Sequence, residues 1–182
     1  MVEFIDFQRY GITLKKLTHE DIEKVRIWRS DPEVSKFLAT HISITPEMQE
    51  KWFSKIKNSR TDFYFIINVK GEDIGVINLK DVDFSKKTGE TGIFIGELEY
   101  QNNDYGIRAA LAIHDFAFEV LNLETLHGTT FEANKRAMRL NKALGYEVLK
   151  NQEGIEEKAV QVTKDAYINA TAKIKALINK LY

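Results

Sequence analysis

Apolar residues recur along this chain with two spacings, period two and period 3.6, and these mark its elements. Phe63 to Val69 reads Phe-Tyr-Phe-Ile-Ile-Asn-Val, aromatic and β-branched, and stops at the turn signal Lys70-Gly71-Glu72-Asp73. Ile74 to Leu79 resumes the same composition, so the two stretches predict a β-hairpin. Gly11 to Lys16 predicts a short first strand, and Glu90 to Gly96 another after the polar turn Ser85 to Gly89. Between the first strand and the hairpin, His19-Glu20-Asp21 opens a helix toward Trp28, with Thr18 as N-cap and Asp21 three residues on. Pro32 marks a break. Thr45-Pro46-Glu47-Met48 starts a second helix, Thr45 capping and Pro46 in the first turn, running to about Lys57 and burying Trp52 and Ile56.

The segment Gly106 to Leu121 is apolar almost throughout, and Arg108, Asp115, Glu119 and Asn122 fall on one narrow stripe. A helix apolar over most of its circumference is buried, here against a sheet. Thr125 to Phe131 predicts a strand, Asn134 to Leu144 a helix stopped by Gly145, and Tyr146 to Leu149 and Lys158 to Thr163 two short strands. Lys164 to Leu181 closes the chain as an amphipathic helix. Tyr167, Ala170, Ile174, Ile178 and Leu181 share its inner face, and Lys164, Lys173, Lys175 and Lys180 its solvated one. The order β-α-α-β-β-β-α-β-α-β-β-α, with short connections, predicts one mixed α/β domain over residues 1–182. The buried helix is then a crossover between parallel strands.

Composition narrows the chemistry. There is no cysteine, which excludes disulfides, a thiolate nucleophile and Cys-ligated metal. With 26 Lys and Arg against 27 Asp and Glu the net charge is −1, without the basic excess of a general nucleic-acid or membrane-surface binder. The first ten residues carry Glu3, Asp6 and Arg9 rather than an apolar core, and no apolar run approaches the ~18 residues of a membrane span. The expectation is a soluble, cytoplasmic chain. His19, His41, His114 and His127 show no metal spacing, so no metal is expected, and His114 and His127 read as structural.

The informative stretch joins the Glu90 strand to the buried helix: Glu97-Leu98-Glu99-Tyr100-Gln101-Asn102-Asn103-Asp104-Tyr105-Gly106-Ile107-Arg108. A polar loop feeding a helix N-terminus offers free backbone N–H groups and the positive end of the helix dipole to a phosphate. This segment resembles the acyl-CoA site of the GNAT superfamily of N-acetyltransferases, particularly its ribosomal-protein-alanine acetyltransferase-like branch, in which a Q/R-x-x-G-x-G/A loop holds the CoA pyrophosphate. Here that loop is Gln101 to Gly106. The likeness continues through Asp115 to Leu123, Asn134-Lys135-Arg136-Ala137 and Leu144-Gly145-Tyr146, and spans Gly11 to Thr163.

The resemblance implies the GNAT fold, a mixed central sheet with splayed central strands and flanking helices. It also implies direct acetyl transfer from acetyl-CoA to a primary amine. It assigns Gln101, Asn102, Asn103, Asp104, Tyr105, Gly106 and Ile107 to the pyrophosphate, Asn134 and Asn141 to further cofactor contacts, and a backbone N–H near Ile95 and Gly96 to the oxyanion. Glu90 and Glu97 are the candidate bases for the amine, Glu90 preferred. Asn134 reads equally as a helix N-cap, and Gly106 as a packing glycine. Trp28, Trp52 and the Phe63-Tyr64-Phe65 run read as core, with Trp28 and Arg29 as a candidate border of the acceptor pocket.

Two positions depart from the family. Asp104 replaces the first loop glycine, and Asn141 stands where many members carry a tyrosine that protonates the leaving thiolate; an amide is no proton donor. Both fit a non-catalytic acyl-CoA-binding or interaction module, the competing reading. Two acceptor classes follow from the resemblance. One is a protein N-terminus. The other is a nucleotide-linked amino sugar, because Trp28 to Pro32 and Ile74 to Ile77 also resemble flagellin-sugar acetyltransferases. Homodimers are common among similar proteins, and no stretch of this sequence locates an interface.

Overall fold

The computed structural model describes residues 6–36, 38 and 43–182. Glu3 and His41 lie outside them. One sheet of eight strands forms the centre: β1 (Phe7–Arg9), β2 (Ile12–Lys16), β3 (Phe63–Val69), β4 (Glu72–Asp83), β5 (Thr88–Ile95), β6 (Thr125–Phe131), β7 (Glu147–Val148) and β8 (Glu157–Thr163), in the spatial order β1-β2-β3-β4-β5-β6-β8-β7. All neighbours are antiparallel except β5 and β6. Helices α1 (Ile22–Ser30), α2 (Pro32–Ser35) and α3 (Pro46–Ile56) precede β3. Helix α4 (Tyr105–Asp115) makes the crossover, α5 (Lys135–Ala143) follows β6, and α6 (Lys164–Ile178) ends the fold. No helix among the described residues is long and apolar enough to cross a membrane.

Side-chain alternation in β3 splits the core in two. Phe65 and Ile67 join the cluster under α4 and α6, while Tyr64 and Ile66 join that under α1 and α3. Helix α4 is buried as its pattern predicts, with Ala109, Leu111 and Ala112 wholly inaccessible. The polar stripe is only partly solvated: Arg108 and Asp115 are buried, while Glu119 and Asn122 are exposed. Asp115 sits at the end of α4, where the backbone widens into one π-helical turn over Phe116–Val120. Its carboxylate accepts from Arg9 (2.8 Å), Tyr10 (2.6 Å), Tyr167 (2.8 Å) and Lys175 (2.5 Å). Lys175 therefore leaves the solvated face expected for it, because a buried carboxylate requires partners.

Other expectations shift locally. An additional strand, β1, precedes the expected first one, and Tyr10 (φ +57°) and Gly11 (φ +64°) form the tight turn of the resulting hairpin. Pro32 ends α1 but also opens α2, where the Asp31 side chain accepts the Glu33 N–H at 2.8 Å. In α3 the buried residue is Gln49, whose Nε2 donates to Ile22 O at 3.0 Å, while Trp52 and Ile56 are half-buried. Along α6, Thr171 takes the inner position expected of Ala170, donating its hydroxyl to Tyr167 O, and Leu181 is exposed.

Candidate active site

Strands β5 and β6 pair only through Thr88, Gly89 and Glu90 against Thr125, Leu126 and His127. Beyond Glu90 they diverge, so the splay expected of the central strands is present. β4 still pairs β5 along its length, and Gly96 N–H donates to Ile74 O at 2.8 Å. Alternation in an antiparallel pair then turns the Ile93 and Ile95 N–H groups away from β4, into the gap. Of the two residues expected to supply the oxyanion donor, Gly96 is engaged and Ile95 faces the opening. A glycine at 96 is enforced by packing, because a Cβ there would lie 2.2 Å from the Trp28 ring.

The gap is a cavity of about 360 Å³ passing through the sheet. On the α1–α3 side it is bordered by Arg29, Trp52, Tyr64, Lys80 and Glu90; on the α4–α5 side by Thr91, His114, Asn134, Asn141 and Tyr146. The expected residues Glu90, Asn134 and Asn141 are thus brought together. Glu90 is held by Lys80, Oε1 to Nζ 2.9 Å. Burial pulls the Lys80 ammonium down, and the hydrogen bond and charge of Glu90 outweigh this, leaving its pKa raised. Asn134 caps α5, its Oδ1 accepting the Ala137 N–H at 3.0 Å. The other candidate base, Glu97, accepts from Trp28 Nε1 at 2.9 Å and does not border the cavity.

Arg29 stands apart from these paired groups. Burial lowers its pKa, and among the described residues Tyr64 is the ionisable group that acts on it. Among the described residues no carboxylate pairs with it.

The loop from Gln101 to Ile107 lies outside the cavity wall, at the N-terminus of α4. Gln101 Nε2 donates to Ile95 O at 3.1 Å, tying the loop to the end of β5. Asn102 adopts φ +62°, and Asn103 Oδ1 accepts the Tyr105 N–H at 3.0 Å. The Asp104 carboxylate lies 3.2 Å from Arg108 Nη2. Arg108 is buried, between the rings of Tyr105 (4.6 Å) and Tyr182 (4.2 Å). This guanidinium offsets the charge that Asp104 would otherwise present to a phosphate. Packing does not require the glycine at 106: a Cβ there would meet nothing within 4 Å. Open space over a helix N-terminus, with a neutralised acid beside it, fits a pyrophosphate.

Three cavity residues carry a chain that sequence reading overlooked. His114 Nδ1 lies 2.7 Å from Ala110 O, His114 Nε2 2.9 Å from Tyr146 Oη, and Tyr146 Oη 2.8 Å from Thr91 Oγ1. Burial lowers the His114 pKa to about 4 and raises that of Tyr146. Tyr146 was visible only as the end of a helix motif, 32 residues from His114, and no sequence signal joins them.

The comparisons agree with this architecture. A spermidine N-acetyltransferase from Vibrio cholerae, solved in complex with CoA and spermine, superposes with a TM-score of 0.79 over 88% of this chain and 100% of its own, at 16% identity. The curated spermidine N(1)-acetyltransferase of Escherichia coli K12 is 24% identical over 139 residues, 76% of this chain and 74% of its own. Acetyltransferase PseH of Campylobacter jejuni is 28% identical over 127 residues, 69% of this chain and 76% of its own. The model of the acetyltransferase (GNAT) domain matches residues 12–147. The chain therefore belongs to the acetyltransferase (GNAT) domain family, enzymes that draw their acyl group from acetyl-CoA.

Proposed function

We propose that this protein N-acetylates a primary amine that also carries an anionic group, of the nucleotide-linked amino-sugar class, by direct transfer from acetyl-CoA. The observation that carries this reading is Arg29: a half-buried guanidinium on the cavity wall with no acid beside it among the described residues. An unpaired cation in a partly desolvated site favours a ligand that supplies the counter-charge, and guanidinium suits phosphate and carboxylate in particular. The rings of Trp52 and Tyr64 border the same side and offer apolar faces to a base or sugar. A polyamine needs carboxylates there; Glu90 is already held by Lys80.

In this reading the amides of Gly106 and Ile107 take the pyrophosphate, with Gln101, Asn102, Asn103, Asp104 and Tyr105 shaping the loop. Bound acetyl-CoA supplies the activated acyl group. Ile95 N–H stabilises the oxyanion, a preorganised donor of the kind worth about 3 kcal/mol in other acyl-transfer sites. Glu90 orients the amine, with Lys80 fixing the carboxylate. Asn134 and Asn141 line the cofactor side.

A panel of three acceptors tests this, with free thiol release from acetyl-CoA as readout: a nucleoside-diphosphate amino sugar, spermidine, and a peptide with a free N-terminus. The amino sugar should turn over with the highest kcat/KM. Preference for spermidine would overturn the reading of Arg29. Preference for the peptide would return the chain to the ribosomal-protein-alanine acetyltransferase-like branch.

A further inference from the structure

We infer that Thr91, Tyr146 and His114 form a proton relay along the cavity wall. The inference rests on the amine-acylating reading above and deepens it, since the family's tyrosine position is Asn141 here.

The direction of every hydrogen bond in the chain is fixed by its far end. Ala110 O, a carbonyl, can only accept, so His114 Nδ1 carries a proton and donates to it. Burial keeps the imidazole neutral, so Nε2 is bare and can only accept. Tyr146 must therefore donate its hydroxyl proton to Nε2. The Tyr146 oxygen is left to accept, and Thr91 Oγ1 donates to it. The lone pairs of Thr91 remain for a donor in the cavity, which is what an attacking amine presents. Three consecutive bonds thus run in one direction, from Thr91 through Tyr146 and His114 to Ala110 O.

The surroundings hold this polarity. Tyr167 of α6 stacks on the His114 ring (5.2 Å, 25°), and Tyr146 stands edge-on to it (5.5 Å, 85°). The charged groups acting on His114 are Asp115 of its own helix, which favours the imidazolium, and Lys175 of α6, which opposes it; Glu90 of β5 acts on Tyr146. Asp115 is itself neutralised by Lys175 and Arg9.

The step balances. As the amine nitrogen bonds the acyl carbon it sheds a proton to Thr91 Oγ1, the Thr91 proton moves to Tyr146 Oη, and the Tyr146 proton moves to His114 Nε2. The electron pair of the breaking C–S bond stays on sulfur. The reverse shift along the same three groups gives the proton back through Thr91 to that thiolate.

The test has two arms. In the first, ¹⁵N-histidine spectra of the free enzyme should show His114 protonated on Nδ1 and bare on Nε2 from neutral pH to about pH 5, and Tyr146→Phe should shift the Nε2 resonance alone. In the second, Tyr146→Phe and, separately, Thr91→Val should each lower kcat about 100-fold with KM little changed, and Tyr146→Phe, which leaves the buried His114 Nε2 without its donor, should also lower the melting temperature. The rate in H₂O/D₂O mixtures should be bowed for the native enzyme and linear for Tyr146→Phe. A His114 protonated on Nε2 at neutral pH, or native kcat in a folded Thr91→Val variant, would overturn the inference. Absence of turnover in the native enzyme with every acceptor would overturn the acyl-transfer reading and any catalytic role for the chain, while the spectra would still report whether the hydrogen bonds exist.

Discussion

Substitutions at Gly106 should separate stability from cofactor affinity. Gly106 lies in the first turn of α4 and does not have positive φ, so alanine is conformationally acceptable there. The added Cβ has nothing within 4 Å, so no clash offsets the gain. Replacing glycine by alanine in a helix stabilises by about 0.5–1 kcal/mol, less toward the end of the helix. For a domain of this size that raises the melting temperature by roughly 1–4 °C. The family motif admits alanine as well as glycine at this position, so the CoA contact is probed with a longer side chain: Gly106→Leu projects into the space assigned to the pyrophosphate, and an overpacked contact costs about 1–3 kcal/mol, roughly 5- to 150-fold in affinity. Thermal melts with and without CoA read both effects. The apo Gly106→Ala variant should melt above the native protein with its CoA-induced shift kept, and the CoA-induced shift of Gly106→Leu should shrink. An unchanged CoA shift in Gly106→Leu would refute the assignment of this loop to the cofactor. A lower apo melting temperature in Gly106→Ala would refute the claim that the space is open.

Three further outcomes follow from the geometry. Gly96→Ala forces a Cβ into the Trp28 ring and, through it, the bond to Glu97; calorimetry should show a loss of about 1–3 kcal/mol. Asp115→Asn leaves Arg9 and Lys175 without their shared carboxylate, and should cost about 3 kcal/mol in denaturant unfolding, partly recovered by adding Lys175→Met. His114 has a folded pKa near 4 against about 6.5 unfolded, so the unfolded state binds the extra proton between those values. Stability should therefore be intact above pH 6.5 and fall by about 3 kcal/mol as pH drops to 4, and His114→Gln should flatten that part of the profile.

Much of this fold is written in local patterns. The β3–β4 hairpin, the Thr45-Pro46 start of α3 and the Gly145 stop after α5 each depend on residues within a few positions of one another, and so were legible. Periodicity failed where it cannot distinguish a solvated polar stripe from a buried, paired one. Arg108 and Asp115 have the spacing of a wet face, yet Tyr10, Arg9 and Lys175 reach them from distant segments. Strand β1 escaped notice because three half-buried or exposed residues carry no alternation of their own. The site divides the same way. The loop assigned to the cofactor phosphate and the cavity edge at Glu90, Asn134 and Asn141 lay in motifs. The chain from Thr91 to His114 joins a strand, a helix and a loop, and only the splay of β5 from β6 brings them together.

If Arg29 supplies the counter-charge of an anionic acceptor, removing it removes the preference for one. The decisive measurement is kcat/KM for a nucleoside-diphosphate amino sugar and for the same amino sugar without its nucleotide, in the native enzyme and in Arg29→Gln. The native enzyme should strongly prefer the nucleotide-linked amine, through KM, and that preference should shrink at least tenfold in the variant. Equal preference in both enzymes, or a native preference for the uncharged amine, would rule out this role for Arg29.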